Sequence, residues 1–231
     1  MSEFDEELNS MDESKPNSGG NNWNKGNNFN KDNGGKPAWK KDFSKFKKDD
    51  TPKVFSLYKP YVVTGNKEAP PSIVAELESL VKRIEALGYT TRTGGLDGVD
   101  SAVEKVSTKL ELYLPWKGFA EKESKLYWND DLAMQAAKKY SPVFDNLKPV
   151  VQAFLAKNAR MVLGTKFDSN ALFLLCWSDD GAEAKKDVTS RTGNVGHVIL
   201  IANSIGIPIF NLGNEDTKQR LYNYLSLFEQ E

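Results

Sequence analysis

The 231-residue chain is 39% hydrophobic, 27% charged and 11% aromatic, room for one domain of ordinary size plus an appendage, which excludes a large multidomain enzyme. Lys+Arg 31 against Asp+Glu 32 leaves a formal charge of -1, so no overall field draws nucleic acid or an anionic membrane to it. One cysteine, Cys176, and one histidine, His197, exclude an intramolecular disulfide and a Cys/His zinc site, and no metal is expected.

Residues 1–53 are set apart by composition, with nine Asn and five Gly in the first 35 positions and almost no aliphatic side chains. Such a segment cannot bury enough apolar surface to offset roughly 1–2 kcal/mol of backbone entropy per residue, so it is expected to be a disordered tail. Its charge is sorted: residues 1–14 hold six acidic and no basic groups, whereas residues 36–53 hold seven Lys against three Asp. The acidic start is unlike the basic and then apolar opening of a secretory leader. No apolar run approaches the roughly 20 residues that cross a bilayer, so no membrane partner is expected. A reducing, cytoplasmic setting fits these features, that of a bacterial host if the chain is phage-encoded. Trp39, Phe43 and Phe46 interleave with Lys40, Lys41, Lys45, Lys47 and Lys48. That stretch reads either as a solubilising linker or as a recognition segment for single-stranded DNA or a protein groove.

From residue 54 to 231, short β-rich runs alternate with longer helical stretches. Residues 60–64 form a first strand; 70–87 an amphipathic helix with Ile73, Leu77, Leu80, Val81 and Ile84 on one face; 89–93 a second strand. A helix over about 97–107, with Asp97 as its cap, leads to a strand at 110–114. Helices are expected over about 129–140 and 146–163, a fully apolar strand at 171–177, a helix at 196–205, a strand at 208–211 and a terminal helix at 215–228. Strands separated by helices imply right-handed crossovers, hence a Rossmann-like α/β domain: a parallel sheet of about five strands with helices on both faces.

In such a sheet the ligand site lies at the carboxyl ends of the strands, where the order switches. There the sequence places Thr64-Gly65-Asn66 and Thr93-Gly94-Gly95-Leu96-Asp97-Gly98-Val99-Asp100, the latter running into a helix. Glycines let backbone approach a phosphate or sugar, and a helix start offers unpaired N–H groups; the same pattern also serves a tight strand-to-helix turn. A second small-residue loop, Thr192-Gly193-Asn194-Val195-Gly196-His197, opens another helix. Trp116 and Trp177, at strand ends, are stacking candidates for a base or else core residues. Asp179 and Asp180 suit either a ribose or metal contact or a turn. His197 suits a general acid or base, or a structural hydrogen bond. Arg160, beside Asn158, could serve a phosphate or the surface, and Cys176 reads as an inert core thiol.

Residues 88–100 (GYTTRTGGLDGVD), 112–119 (LYLPWKGF), 175–180 (LCWSDD), 192–197 (TGNVGH) and 206–212 (GIPIFNL) together resemble the SLOG superfamily, of bacterial or phage type. It groups the DNA-processing protein A fold with the "lonely guy" phosphoribohydrolases. The resemblance spans about residues 58–213. It implies a site for a nucleotide or nucleotide-derived ligand between two loops, with Gly94, Gly95, Gly98 and Asp100 matching the first motif and Gly193, Gly196 and His197 the second. Asn194 and Val195 stand where close members read Gly and Thr, and the glutamate of the phosphoribohydrolase signature has no counterpart. Asp97 stands where the DNA-processing family has Arg.

Three functions follow as expectations: nucleotide binding without a certain cofactor; N-glycosidic cleavage or transfer supported by Asp100, Asp179 or His197; and single-stranded DNA handling through the tail. Ligand contacts are expected from Thr64, Gly65, Thr93, Gly94, Gly95, Gly98, Asp100, Trp116, Trp177, Asp179, Thr192, Gly193, Asn194, Gly196 and His197. Self-association into a homo-oligomer stays open.

Overall fold

The computed structural model describes residues 58–127 and 130–227. The tail readings for residues 1–53, including the lysine and aromatic segment, lie outside them, as does the proposed start of the folded unit at residue 54.

Six strands form one all-parallel sheet: β1 (Lys59–Gly65), β2 (Tyr89–Thr93), β3 (Leu110–Leu114), β4 (Leu126–Tyr127), β5 (Leu174–Trp177) and β6 (Ile209–Asn211). Their spatial order is β4-β3-β2-β1-β5-β6. The chain starts at the centre, winds outward through β2, β3 and β4, then returns beside β1 to lay down β5 and β6. The expected count of about five misses β4, whose two residues are too short to show any alternation.

Six helices cover the sheet: α1 (Pro71–Ala86), α2 (Val99–Val106), α3 (Asp131–Tyr140), α4 (Pro149–Leu163), α5 (Val195–Ile205) and α6 (Thr217–Ser226). The period of two decides which side each strand residue serves. Tyr61 and Val63 of β1 join Phe173, Leu175 and Trp177 in a core under α1, α2 and α6. Val62 of β1 joins Leu174 and Cys176 in a second core under α3, α4 and α5. Leu77, Leu80, Val81 and Ile84 are buried along one stripe of α1, each contributing roughly 1.5–3 kcal/mol.

Element ends differ from expectation where local chemistry decides them. Pro71 occupies the first turn of α1, where a missing N–H costs nothing. Helix α2 starts at Val99, and its cap is Gly98 at φ 83, not Asp97. A side chain at Gly98 would meet the Lys67 backbone at 2.6 Å, and Asp100, one residue into the helix, accepts the Leu96 amide at 3.2 Å. Helix α3 is capped by Asp130, which accepts the Ala133 amide at 2.9 Å.

Two buried polar clusters brace the layers. Glu85 on α1 accepts from Thr91 Oγ1, from Ser107 Oγ and from the Thr108 amide, tying α1 to β2 and to the loop before β3. Those hydrogen bonds outweigh the burial that alone would raise its pKa, and hold it below the usual carboxylate range. Arg92 on β2 donates to Glu111 at 2.8 Å, to the Ser169 carbonyl at 2.8 Å and to Tyr58 Oη at 2.7 Å. It thereby fastens the segment that leads into β5.

Candidate functional site at the strand-order reversal

The strand order reverses between β1 and β5, whose carboxyl ends, Gly65 and Trp177, lie side by side. The connection after β1 climbs to α1 on one face and the one after β5 leads to α5 on the other, the arrangement at which open α/β sheets place a ligand crevice. Helices α2 and α5 begin beside it, each with first-turn amides that have no partner inside the helix.

Asp100, in the first turn of α2, has no exposed surface. Burial raises its pKa, opposed by the charge of Lys157, by a hydrogen bond from the Thr64 side chain and by the Leu96 amide. Lys157 projects from α4, across the sheet from α2, and is also buried. Burial brings its pKa down to about 8, opposed by Asp100. Both side chains close on Gly94 at the end of β2: a Cβ there would overlap Lys157 Nζ and stand 2.8 Å from Asp100 Oδ2. Gly94 is therefore the gap through which α2 on one side of the sheet and α4 on the other bring opposite charges together.

His197 stands in the first turn of α5. Its Nε2 lies 3.4 Å from the Ala137 carbonyl oxygen of α3. Burial, and in smaller part the charge of Lys157, bring its pKa down to about 4, so the ring is neutral near pH 7. A carbonyl oxygen only accepts, so the ring proton sits on Nε2 and Nδ1 presents a lone pair. Asn66 completes the cluster at the end of β1; a Cβ on Gly193 would lie 3.0 Å from its Oδ1. Three buried polar atoms here have no hydrogen-bond partner: Asn66 Oδ1, Asp100 Oδ1 and His197 Nδ1.

The structure sorts the remaining sequence candidates. Thr64 and Gly65 lie at the floor; Thr93 donates to the Val63 carbonyl at 2.8 Å and holds β2 to β1. Gly95, at φ 76, faces Leu114 and Leu112 rather than the crevice, so its lack of a side chain serves packing. Gly196 likewise clears Val188. Thr192 and Asp180 bond each other at 2.6 Å, and Asp180 also accepts from Ser178 and Thr189, so this carboxylate is consumed in shaping the loop before α5. Asp179 pairs with Arg191 in solvent. Asn194 precedes α5 as its cap. Trp177 belongs to the core under α1, α2 and α6. Trp116 is 36% exposed and meets Phe119 and Phe154 edge-on, at 5.1 Å and 5.6 Å. Phe154 in turn lies 5.8 Å from Lys157 Nζ, which joins this aromatic patch to the buried charges. Arg160 is held by Asp130 and the Thr165 carbonyl beneath α3, away from any phosphate role at the crevice. Cys176 is buried, and burial pushes its thiol pKa up.

Lys157 escaped the sequence reading. Its one signal is a lysine flanked by Phe154, Leu155, Ala156 and Ala159 on an otherwise apolar stretch of α4. Among the described residues no group of His, Cys, Asp and Glu could hold a metal ion, and no helix is long and apolar enough to cross a membrane. No family model, curated protein or solved structure matches the chain.

Proposed function

We propose that the protein binds a nucleotide or nucleotide-derived ligand in the crevice at the carboxyl ends of β1 and β5. The observation that carries this reading is the buried set of Asp100, Lys157, His197 and Asn66 at the strand-order reversal, three of whose polar atoms lack partners. A buried polar atom without a partner costs about 1–3 kcal/mol, and such a cost persists at sites kept for a ligand. The first-turn amides of α2 and α5 suit a phosphate, and the Trp116, Phe119 and Phe154 patch suits a base. The motifs that resemble the SLOG superfamily fall on these same loops. Mass spectrometry of small molecules released from the purified, denatured full chain, with calorimetry against ribonucleoside 5′-mono- and diphosphates, tests the reading. The expected result is a retained nucleotide or micromolar binding that Lys157→Met weakens at least tenfold. The absence of both a retained nucleotide and binding to any member of the panel would overturn it.

A second reading, N-glycosidic cleavage or transfer at a nucleoside, has one observation in its favour. Asp100 is a buried carboxyl whose pKa burial raises, the direction that suits a general acid toward a departing base. Free base accumulating on incubation with nucleotide, and lost in Asp100→Asn, would establish it.

A further inference from the structure

The crevice floor carries an unusual mixture of hydrogen-bonding roles. Asp100 Oδ1, His197 Nδ1 and Asn66 Oδ1 all accept, and all three are buried without a partner. The residues that bear them are 0%, 8% and 9% exposed respectively. The cluster has one cationic donor, Lys157, whose charge reaches both Asp100 and His197. The pieces are tied together through the backbone. Thr64 bonds Asp100, Asn66 follows two residues later just past the end of β1, and Gly193, against the Asn66 side chain, leads into the helix that carries His197.

A phosphate offers oxygens that accept, and would bring negative charge up to Asp100 with nothing to give the three lone pairs. An ammonium or guanidinium would satisfy the lone pairs but oppose Lys157. A hydroxyl both donates and accepts, and two adjacent hydroxyls can donate to the acceptors while taking a hydrogen bond from Lys157 Nζ.

We infer that the group seated against Asp100, Lys157, His197 and Asn66 is the vicinal diol of a ribose, with the phosphate lying outward at the helix starts. This rests on the nucleotide reading above and adds the orientation of the ligand and a preference for ribose over deoxyribose. A site whose buried acceptors are matched to a hydroxyl rejects the analogue without it, because the acceptor is then left unpaired.

The test uses the full chain and paired probes: each ribonucleoside 5′-monophosphate against its 2′-deoxy and 3′-deoxy counterparts, by calorimetry. The expected result is a loss of about tenfold or more in affinity on removing a hydroxyl, the worth of one hydrogen bond to a charged group. In Asp100→Asn, which replaces an acceptor by a donor of the same size, the preference should collapse to within about threefold. Ribose and deoxyribose forms binding equally well would overturn the diol assignment and leave nucleotide binding intact. Full preference retained in a folded Asp100→Asn protein would overturn it as well. No binding of any probe would remove the nucleotide reading itself, and the diol with it.

Discussion

A histidine kept neutral by burial makes folding sensitive to acid. The unfolded chain takes up a proton on His197 as pH falls through about 6.5, whereas the folded ring holds out until about 4. The unfolded state therefore binds more protons across that window, and acidification destabilises the fold by about 3 kcal/mol once pH 4 is reached. His197→Gln removes this titration while Asp100 and the other carboxylates continue to titrate. Melting temperatures of parent and variant between pH 7 and 4 should converge as pH falls; parallel curves would contradict the assignment. Two neighbouring glycines make a second contrast. A methyl at Gly94 would overlap Lys157 Nζ and stand 2.8 Å from Asp100 Oδ2, parting two buried charges, so Gly94→Ala should cost about 3–5 kcal/mol in stability and weaken nucleotide binding tenfold or more. Gly95 sits at φ 76 against Leu114, so Gly95→Ala should cost about 1–3 kcal/mol with little separate effect on affinity. Urea denaturation and calorimetry on both variants check the pair.

The loop before α5 separates adjacent carboxylates into different roles. Asp180 accepts from Ser178, Thr189 and Thr192 and from the Ala182 amide, and so fixes the path by which β5 reaches His197. Asp180→Ala should cost about 1–3 kcal/mol and lower nucleotide affinity through the displaced helix start. Asp179 pairs with Arg191 in solvent, and Asp179→Ala should leave both the melting temperature and binding unchanged. The elements themselves are legible in the sequence. The 3.6-residue stripe of α1 and the apolar run of β5 announce themselves through periodicity and composition, with the ends of α1 displaced by one residue each and the start of β5 by three. The loops at the crevice are legible as glycine clusters after strands. What each glycine does is not: Gly94 admits a lysine, Gly95 a leucine, Gly98 the backbone of Lys67, and all read alike in one dimension. Lys157 is hidden for a related reason, since its partner Asp100 lies on another helix across the sheet.

At the scale of the whole domain, β1 joins the two layers, giving Tyr61 and Val63 to one core and Val62 to the other. Neither layer can be lost while the other keeps its central strand, so unfolding should be a single transition. Far-ultraviolet and near-ultraviolet circular dichroism are expected to give coincident thermal midpoints, and two separated transitions would show that the layers melt independently.

Cys176 lies in β5, beside the crevice end of β1, with no surface exposed to solvent, and it is the chain's one cysteine. A thiol reagent can reach it only when β5 separates from its neighbours, so the labelling rate under native conditions counts how often the central sheet opens. Each labelled molecule records one such opening, without any engineered probe. A ligand held across β1 and β5 must be released before that opening, so saturating it at a hundred times its Kd should slow labelling by about a hundredfold. The buried thiol thus converts occupancy of the proposed site into a reaction rate, readable by mass for each nucleotide tried.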